Sequence, residues 1–559
     1  MSKNNNGRNE FINKFERVCN LYAERTAVTY LLDGGEKEKY LFSDLREKSL
    51  QLAEKLKTSG LYPGDRVAIL SALSPFCYIS YFSFVYAGLT AVIIDPQLPE
   101  QEKDRLLANA DIRGIVASEA VYSSYAKRYD NKMPVLHIED GRVYSESSQR
   151  SIMPPTPDPD LDAAAILYSS GTTSQAKGVV IGFEQQIRAI DTDLKFVGTN
   201  NIRWLEVYPF FHISGLSSSL AILLNGAEIG LIEEVSAVKL QQAFHNYRPN
   251  TFALVPKVYE VLEGKTREAI KAKGALVASV IFTLMRLCGS IRKNLKINLG
   301  KLIFTSINRQ LFGGKMVFLG VGGGLSNPKT IEFFLQLGYV WFNMYASTEA
   351  NVPITSTTYK DKYTIRSSGR VDRFPNVQIK INSPNISGEG EILVKSDLLM
   401  KGYFRDAELT AAAFDEYGYF KTGDLGYVNK KNELIITGRA KEFIALHNGE
   451  KISPEDIERL YAEVAGTVEF ACAGVPSKDG SYDTAQLFIE KGGLSDDEQQ
   501  NIRSRILRFS AHIGNLYQVY GVHFIDKIPV TSIGKVKRFQ LKETTFADSA
   551  VNSVQKGQV

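Results

Sequence analysis

Short apolar runs alternate with segments of helical period from Arg66 onward, and this alternation narrows the fold more than any other feature. Arg66–Leu70 and Ala91–Ile94 are mainly apolar and predict buried strands, while Pro75–Ala87 between them predicts a crossover helix. Buried strands joined by helices are typical of parallel sheets. We therefore predict an α/β fold with substantially parallel sheet. Further strands are predicted at Gly114–Ala117, Ala163–Tyr168, Trp204–Val207 and Met316–Leu319.

The chain is too long, at 559 residues, for one hydrophobic core, so we expect at least two domains. Residues 258–308 have mainly helical period. After Gly388, short strands with Gly and Asp turns become frequent, and the last hundred or so residues mix helices with strands. We expect a small α+β domain at the end of the chain. The predicted border lies at Gly438–Arg439, giving domains of residues 1–438 and 439–559.

Charge and cysteine content restrict the class of protein further. The net charge of +4 is small for this length and argues against a dedicated nucleic-acid binder. Four scattered cysteines fit neither a metal site nor a disulfide framework, so a reducing, cytoplasmic setting is expected. The polar start lacks the apolar core of a secretory signal. The longest apolar stretch, Gly274–Met285, is interrupted by Arg286, and we expect it to be too short to span a bilayer.

The segment Tyr168–Val179 is dense in Ser, Thr and Gly, contains Lys177, and follows a predicted buried strand. Successive backbone N–H groups in such a loop can form an anion-binding nest, and the hydroxyl groups and the lysine add donors and charge. Clusters of this composition are also common as plain surface turns. On composition alone, a phosphate-binding loop and a surface turn both remain open.

The loop resembles the (T/S)SGTTGxPKG motif of the ANL superfamily of adenylate-forming enzymes, which includes acyl-CoA synthetases, peptide-synthetase adenylation domains and luciferases. Five further motifs resemble those of the family and follow in the family's order, over a similarity that extends from about Thr26 to Lys542. They are Pro209–Gly215, Tyr345–Glu349, Tyr419–Asp424, Gly438–Lys441 with its continuation to Gly449 and Glu455, and Thr531–Arg538. The resemblance implies a large N-terminal domain of mixed sheets with flanking helices and a small mobile C-terminal domain.

The resemblance also implies a role for particular residues in binding ATP and activating a carboxylic acid. Phosphate contacts are implied for Ser170, Gly171, Thr172, Thr173 and Lys177. Contacts with the adenosine are implied for Gly322, Gly323, Gly324, Tyr345, Ala346, Ser347, Asp424 and Arg439. Catalytic roles are implied for Thr348, His212, Glu349 as the Mg²⁺ ligand, and Lys535 between the carboxylate and the α-phosphate. Lys441 is implied as a hinge and Gly449 as part of the face offered to the thiol.

Several positions depart from the family pattern without removing a charged catalytic group. Ser174 and Ala176 stand where the family usually has Gly and Pro, Ala346 replaces a Gly, and Ala445 stands where many members have Lys. We therefore interpret the chain as an active enzyme, and a catalytically silent nucleotide-binding regulatory protein is the alternative of another class. For His212, a structural role beneath an aromatic lid remains open.

The substrate is predicted from the insert between Val255 and Lys315, which resembles the helical segment of long-chain fatty acyl-CoA synthetases. A fatty acid is expected as the acid and CoA as the acceptor, with an acyl-AMP ligase or an acyl-carrier-protein ligase as the alternative. The segment Pro209–Gly215 lacks the Asp with which family members hold an amino acid. Within the insert, Leu276–Leu302 interleaves apolar and basic residues. Peripheral contact with an anionic membrane and packing on the domain are both open for it.

Overall fold

The computed structural model of the protein describes residues 6–32, 35, 37–129, 132–144, 162–169, 177–193, 202–232, 234–351, 353–357, 364–440, 442–446, 451–477, 482–531 and 534–543. The helices in these ranges are α1 (Asn6–Leu21), α2 (Phe42–Thr58), α3 (Pro75–Ala87), α4 (Glu100–Asn109), α5 (Glu119–Tyr129), α6 (Phe183–Asp193), α7 (Ile213–Leu223), α8 (Ala237–Asn246), α9 (Pro256–Lys271), α10 (Ala275–Leu295), α11 (Gly300–Ile303), α12 (Thr305–Phe312), α13 (Pro328–Gln336), α14 (Ala407–Ala412), α15 (Pro454–Ala465) and α16 (Asp496–His512).

The strands of the described ranges run from β1 to β25. They are β1 (Thr26–Leu31), β2 (Lys37–Leu41), β3 (Arg66–Leu70), β4 (Thr90–Ile93), β5 (Gly114–Ala117), β6 (Val135–His137), β7 (Val143–Tyr144), β8 (Ala163–Ser169), β9 (Lys177–Gly182), β10 (Arg203–Glu206), β11 (Glu228–Ile232), β12 (Thr251–Leu254), β13 (Phe318–Val321), β14 (Val340–Ala346), β15 (Pro353–Ser356), β16 (Val377–Asn382), β17 (Gly390–Ser396), β18 (Gly402–Tyr403), β19 (Phe420–Val428), β20 (Leu434–Arg439), β21 (Ile444–Ala445), β22 (Lys451–Ile452), β23 (Phe470–Pro476), β24 (Asp483–Glu490) and β25 (Gly521–Ile525).

Two eight-stranded sheets form the larger part of the protein. The first has the order β15-β14-β13-β12-β10-β11-β1-β2, and its strands from β14 to β1 pair in parallel. The second has the order β18-β9-β8-β4-β3-β5-β6-β7, with parallel pairing from β8 to β6 and antiparallel strands at both ends. This confirms the predicted α/β class with mixed sheets, because the parallel strands are buried runs joined by helices.

The chain divides into two compact units. The first comprises residues 1–378 and 394–420, and the second comprises residues 379–393 and 421–559. The second unit contains the three-stranded sheet β23-β24-β25, the pair β21-β22, and most of the four-stranded sheet β16-β17-β19-β20. The predicted border at Gly438–Arg439 falls inside the second unit, so the domain border stays a prediction.

Most of the predicted elements lie where the sequence pattern indicates. β3, α3 and β5 have the predicted bounds, whereas the strand predicted at Met316–Leu319 begins two residues later, at Phe318. The shift arises because the amides of Val317 and Phe318 both donate to the carbonyl of Asn250, ahead of the parallel pairing of Thr251 with Phe318.

The expectation that the apolar stretch is too short to span a bilayer is wrong by length and composition. Helix α10 continues through this residue to Leu295 and is 21 residues long. Arginine is a good helix former, and the Arg286 guanidinium lies along its own helix, donating to the Phe282 carbonyl and the Thr283 hydroxyl. Among the described residues, α10 is long and apolar enough to cross a membrane by length and composition.

A buried carboxylate ties α7 to the end of β10. Glu206 is fully buried at the last position of β10. One carboxylate oxygen accepts the amides of Val207 and Tyr208 at 3.0 and 2.9 Å. The other accepts the indole N–H of Trp204 and the hydroxyls of Ser218 and Ser219, at 3.1, 2.6 and 3.1 Å. Because both serines belong to α7, this carboxylate fixes the helix against the sheet.

Burial raises the pKa of Glu206 to about 7, although its hydrogen bonds to Ser218, Tyr208, Ser219 and Trp204 oppose the shift. The pKa of an unfolded glutamate is about 4.3. The folded state therefore holds this proton more tightly, and its contribution to stability is largest below about pH 4.3 and is lost as the pH rises through about 7.

We predict that the free energy of unfolding of the parent, relative to Glu206→Gln, falls by on the order of 2–3 kcal/mol between pH 5 and pH 7.5. Denaturant unfolding of both proteins across this range measures the difference. A flat difference between the parent and Glu206→Gln across this range would show that Glu206 does not titrate there.

Candidate active site

The carboxyl ends of neighbouring parallel strands gather several of the predicted site residues at one sheet edge. Strands β13 and β14 pair in parallel with Val321 opposite Asn343. The Gly322–Gly324 segment therefore leaves β13 beside the end of β14, where Tyr345 and Glu349 follow. Ligands of α/β sheets bind at this edge, outside the carboxyl ends of the strands.

The glycine segment after β13 offers open backbone to a ligand. Gly323 has φ 81°, a left-handed conformation that favours glycine. A Cβ on Gly322 would lie 3.6 Å from the Met344 carbonyl oxygen, and one on Gly324 would lie 3.5 Å from Pro256. These are ordinary contacts, so the conformation at Gly323 is the feature that requires glycine.

Glu349 lies in a tight turn at the end of β14. The Ala350 amide donates to Ser347, and the Asn351 amide donates to the Thr348 carbonyl at 3.2 Å. Asn351 is fully buried with φ 63°, and its carbonyl accepts the hydroxyl of Ser217 at 3.1 Å. Since Ser217 belongs to α7, the helix held by Glu206 also holds the turn.

Tyr403 contacts both Glu349 and Lys177. Its hydroxyl donates to Oε1 of Glu349 at 3.1 Å, and the Lys177 Nζ lies 5.1 Å from the centre of its ring. The backbone supports this arrangement, because Tyr403 pairs with Val179 of β9 and the Met400 amide donates to the Glu349 carbonyl at 2.7 Å. Burial and the charge of Glu349 raise the pKa of Tyr403, so the phenol stays a donor.

The half-buried Glu349 suits Mg²⁺ chemically. Mg²⁺ prefers oxygen ligands and is commonly held by one or two carboxylates together with substrate phosphates. Lys177, whose ammonium lies over the Tyr403 ring, supplies positive charge at the first residue of β9, immediately after the predicted phosphate loop. The three side chains thus hold a carboxylate suited to bind a metal ion close to a lysine suited to bind phosphate.

His212 caps the N-terminus of α7. Its Nδ1 accepts the Ser214 amide at 3.1 Å, and its ring stacks against Tyr208 with centroids 6.4 Å apart. With Nδ1 as the acceptor, the neutral imidazole carries its proton on Nε2. The structural interpretation of His212 is therefore supported, and a catalytic role stays a prediction.

In the second unit, Asp424 and Arg439 form a cross-strand ion pair. Asp424 of β19 lies opposite Arg439 of β20, and the Arg439 Nε donates to its Oδ1 at 2.9 Å. Asp424 is buried, whereas the arginine side chain is partly exposed. The ion pair orients the Asp424 carboxylate on its strand.

Lys535 closes a tight hairpin in the second unit. The Thr531 amide donates to the Lys535 carbonyl at 2.7 Å, and the Lys535 amide donates to the Thr531 hydroxyl at 3.1 Å. Gly534 has φ 80°, a conformation that favours glycine at this turn. Lys535 itself is exposed, so the hairpin presents its side chain at the surface of the unit.

Arg538 anchors this hairpin to α15. It is buried and lies 2.9 Å from both Glu455 and Glu458, with Glu442 4.0 Å away. Burial raises the pKa of Glu458 to about 7 despite the opposing effect of Arg538. Removing one partner of such a cluster leaves buried charge uncompensated, so the base of the hairpin depends on all of them.

Part of the predicted site lies outside the described residues. These positions are Ser170, Gly171, Thr172, Thr173, the departures Ser174 and Ala176, the hinge Lys441, and Gly449. The flanks of the phosphate loop are described: β8 ends at Ser169, β9 begins at Lys177, and these two residues pair antiparallel. The roles of the positions outside the described residues stay predictions.

Sequence reasoning missed two residues that support the Glu349 turn. Glu206 had a usable signal, because an acid inside an apolar strand must find buried donors. Tyr403 had none that could be used alone, since it lies 54 positions from Glu349. In the second unit, Arg538 belongs to the Thr531–Arg538 motif, but its ion pair with Glu458, 80 positions away, was not predicted.

Comparison with known proteins identifies the family. The family model described as AMP-binding enzyme matches residues 15–404. The chain is 25% identical over 537 residues to a 2-succinylbenzoate–CoA ligase of Listeria monocytogenes, covering 95% of this chain and 99% of that one. It is 23% identical over 569 residues to a long-chain-fatty-acid–CoA ligase of Bacillus subtilis, covering 93% and 92%.

A solved structure shows the same fold. It is O-succinylbenzoate coenzyme A synthetase from Bacillus subtilis in complex with ATP and magnesium ion, with a TM-score of 0.71, 21% identity, and coverage of 95% of this chain and 99% of that one. The family match covers well over half of the chain and includes the Lys177–Tyr403–Glu349 contacts. The protein therefore belongs to the AMP-binding enzyme family, within the ANL superfamily of adenylate-forming enzymes.

Proposed function

We propose that the protein is an acyl-CoA synthetase of the cytoplasm that activates a fatty acid as its acyl adenylate and transfers the acyl group to CoA. The observation that carries the proposal is Tyr403, which brings Lys177 and Glu349 together at the carboxyl edge of a parallel sheet. Charge neutralisation around a polyphosphate is the main task in attacking an α-phosphate.

Family membership supports the coarser part of the proposal, an ATP-dependent and AMP-forming CoA ligase that uses Mg²⁺. Lys177 is suited to bind the phosphates and Glu349 to hold the metal ion, which would neutralise phosphate charge. Tyr403 orients the Glu349 carboxylate. Asp424 is suited to accept hydrogen bonds from the ribose hydroxyls while Arg439 orients its carboxylate, and Lys535 is suited to neutralise the approaching carboxylate.

A fatty acid is the favoured substrate because of the long helical insert α9–α12. Helices α9 and α10 alone span residues 256–295, and the insert resembles that of long-chain synthetases. The full-length similarity to a long-chain-fatty-acid–CoA ligase agrees with this choice. An aryl acid is the second candidate, supported by the similarity to a 2-succinylbenzoate–CoA ligase. A carrier protein remains the alternative acceptor to CoA.

Carboxylate-dependent ATP–pyrophosphate exchange across an acid panel tests the proposal. We predict exchange with saturated fatty acids at a kcat/KM at least about tenfold above that with 2-succinylbenzoate, benzoate or amino acids, because one methylene contributes up to about 0.8 kcal/mol in an apolar pocket. A higher value with 2-succinylbenzoate would select the aryl candidate. Exchange with none of the acids would favour a silent nucleotide-binding protein.

Tyr403→Phe tests the positioning of Glu349. The variant keeps the ring beside Lys177 but removes the hydrogen bond to the carboxylate, whose loss is worth about 0.5–1.5 kcal/mol. We predict that the Mg²⁺ concentration for half-maximal exchange rises about two- to tenfold, while the rate at saturating Mg²⁺ stays near that of the parent. Glu349→Gln should lose more, because it removes the metal ligand itself.

Tyr40→Phe is the matched control for this variant, since the Tyr40 hydroxyl donates to Glu38 at 3.0 Å outside the site. It should leave the Mg²⁺ dependence unchanged. An unchanged Mg²⁺ dependence in Tyr403→Phe, or an equal shift in both variants, would remove Tyr403 from the site.

Lys535→Ala and Lys441→Pro separate the two half-reactions. Lys535→Ala should abolish acyl-AMP formation yet still transfer the acyl group from a supplied acyl adenylate to CoA. Lys441→Pro should form acyl-AMP but stall before the thioester, because proline fixes φ near −65° at the predicted hinge. Single-turnover assays of each step decide the matter, and equal loss of both steps in both variants would contradict the alternating mechanism.

A further inference from the structure

Helix α10 carries a stripe of large apolar side chains that face away from its packed side. The α10 stripe consists of Leu276, Val280, Leu284 and Leu287, at spacings of four, four and three residues that place them on one helix face. All four are exposed, with Leu276 at 85%, Val280 at 59% and Leu287 at 53%. Large apolar residues grouped on one exposed face mark an interaction surface.

The opposite side of α10 holds the helix on the protein. Ala278, Met285 and Cys288 are buried, and α10 packs against α9 and α13. The Arg292 guanidinium donates to the carbonyls of Leu335 and Tyr339 at 2.8 and 2.7 Å. A bilayer-spanning orientation would break this packing, so the geometry favours a helix that lies along a surface.

Positive charge is concentrated in the same segment. Residues 271–315 contain nine Lys and Arg and no Asp or Glu. The whole chain has 66 basic and 62 acidic residues, so the remainder has 57 basic and 62 acidic and is net negative. The segment is therefore positively charged in a chain whose remainder is net negative, and its charge complements an anionic surface.

Apolar and basic groups lie close together along this segment. Arg286 is exposed within the length of the α10 stripe, and Lys293 and Lys296 are exposed after it, near the end of α10. The following turn and α11 expose Ile297, Leu302 and Ile303 together with Lys301. A helix with a charged face and an apolar face of this kind lies in the interface of a membrane, with lysines and arginines reaching the headgroups.

We propose that α10 docks on an anionic phospholipid bilayer, with the α10 stripe inserted at the acyl-chain boundary and the basic residues of the segment at the headgroups. An RNA partner would use the basic residues and leave the apolar stripe in water, so the combination favours a bilayer. Docking goes beyond the proposed catalysis. It would place an enzyme for water-insoluble acids at the phase that contains them.

Depth-resolved fluorescence of the full-length chain tests the proposal. Native Trp204 and Trp341 are buried and supply a constant background. With vesicles of phosphatidylcholine and phosphatidylglycerol, the tryptophan emission of the Leu287→Trp variant should shift to the blue. Brominated acyl chains should quench that emission at least about twofold. Val238→Trp, on α8 and 65% exposed, is the matched control and should show neither change. Equal quenching of both variants, or of neither, would overturn the proposal.

Vesicle sedimentation separates the two contributions. Leu276→Ser with Leu287→Ser should lower the partition coefficient at least about tenfold, because burying one leucine is worth more than a tenfold change. Lys293→Gln with Lys296→Gln should lower binding to anionic vesicles several-fold at low salt, while Lys430→Gln with Lys431→Gln should not. Parent binding that is equal for neutral and anionic vesicles would contradict the role of the lysines.

Three further outcomes would also overturn the proposal. They are no vesicle binding by the parent, binding of the parent to RNA but not to vesicles, and a dimer that Leu276→Ser with Leu287→Ser dissociates without any vesicle binding. ATP–pyrophosphate exchange of the stripe variant without vesicles should equal that of the parent, which shows that it is folded. Vesicle binding is measured without substrates, so its failure is distinct from failure of the proposed catalysis.

Discussion

A buried carboxylate sets the arrangement on which the rest of the candidate site depends. Glu206 ends β10 and accepts hydrogen bonds from two serines of α7, so helix and strand cannot move independently. The same helix reaches the buried backbone of Asn351 through Ser217, and Asn351 closes the turn that contains Glu349. From Glu349 the contacts continue through Tyr403 to Lys177. Buried hydrogen bonds of this kind favour one geometry, because breaking one would leave a buried polar group unpaired.

These contacts bring together site residues that lie far apart in the sequence. Parallel strands deliver their carboxyl ends to one edge of the first sheet, and the short strand β18 reaches Glu349 from the second sheet. The Glu349 carboxylate contacts the hydroxyl of this tyrosine, and the Lys177 ammonium lies over its ring. Under the proposed function, groups positioned in the fold in this way would reduce the reorganisation needed for catalysis.

The sequence predicts the fold best where burial alone decides the structure. β3 and α3 were predicted with their observed bounds because the strand is apolar and Pro75 and Gly88 delimit the helix. β13 begins later than the sequence pattern predicts. The reason is that the carbonyl of Asn250, 68 positions before Phe318, accepts the amides of Val317 and Phe318. The apolar stretch Gly274–Met285 was expected to be too short to span a bilayer because Arg286 interrupts it, whereas α10 continues through Arg286 to Leu295. The charged site residues were predicted from family motifs, whereas Tyr403 and Arg538 act through contacts that exist only in the folded chain.

Adenylation requires this protein to join a carboxylate to the α-phosphate of ATP. Turnover with a carboxylic acid labelled with ¹⁸O in both oxygens reports on this step, because attack on the α-phosphate leaves one acid oxygen bridging to phosphorus, and that oxygen later leaves with AMP. Mass spectrometry of the nucleotide product should then show AMP with one ¹⁸O atom per molecule of thioester formed. Unlabelled AMP, or ADP as the product, would contradict the account.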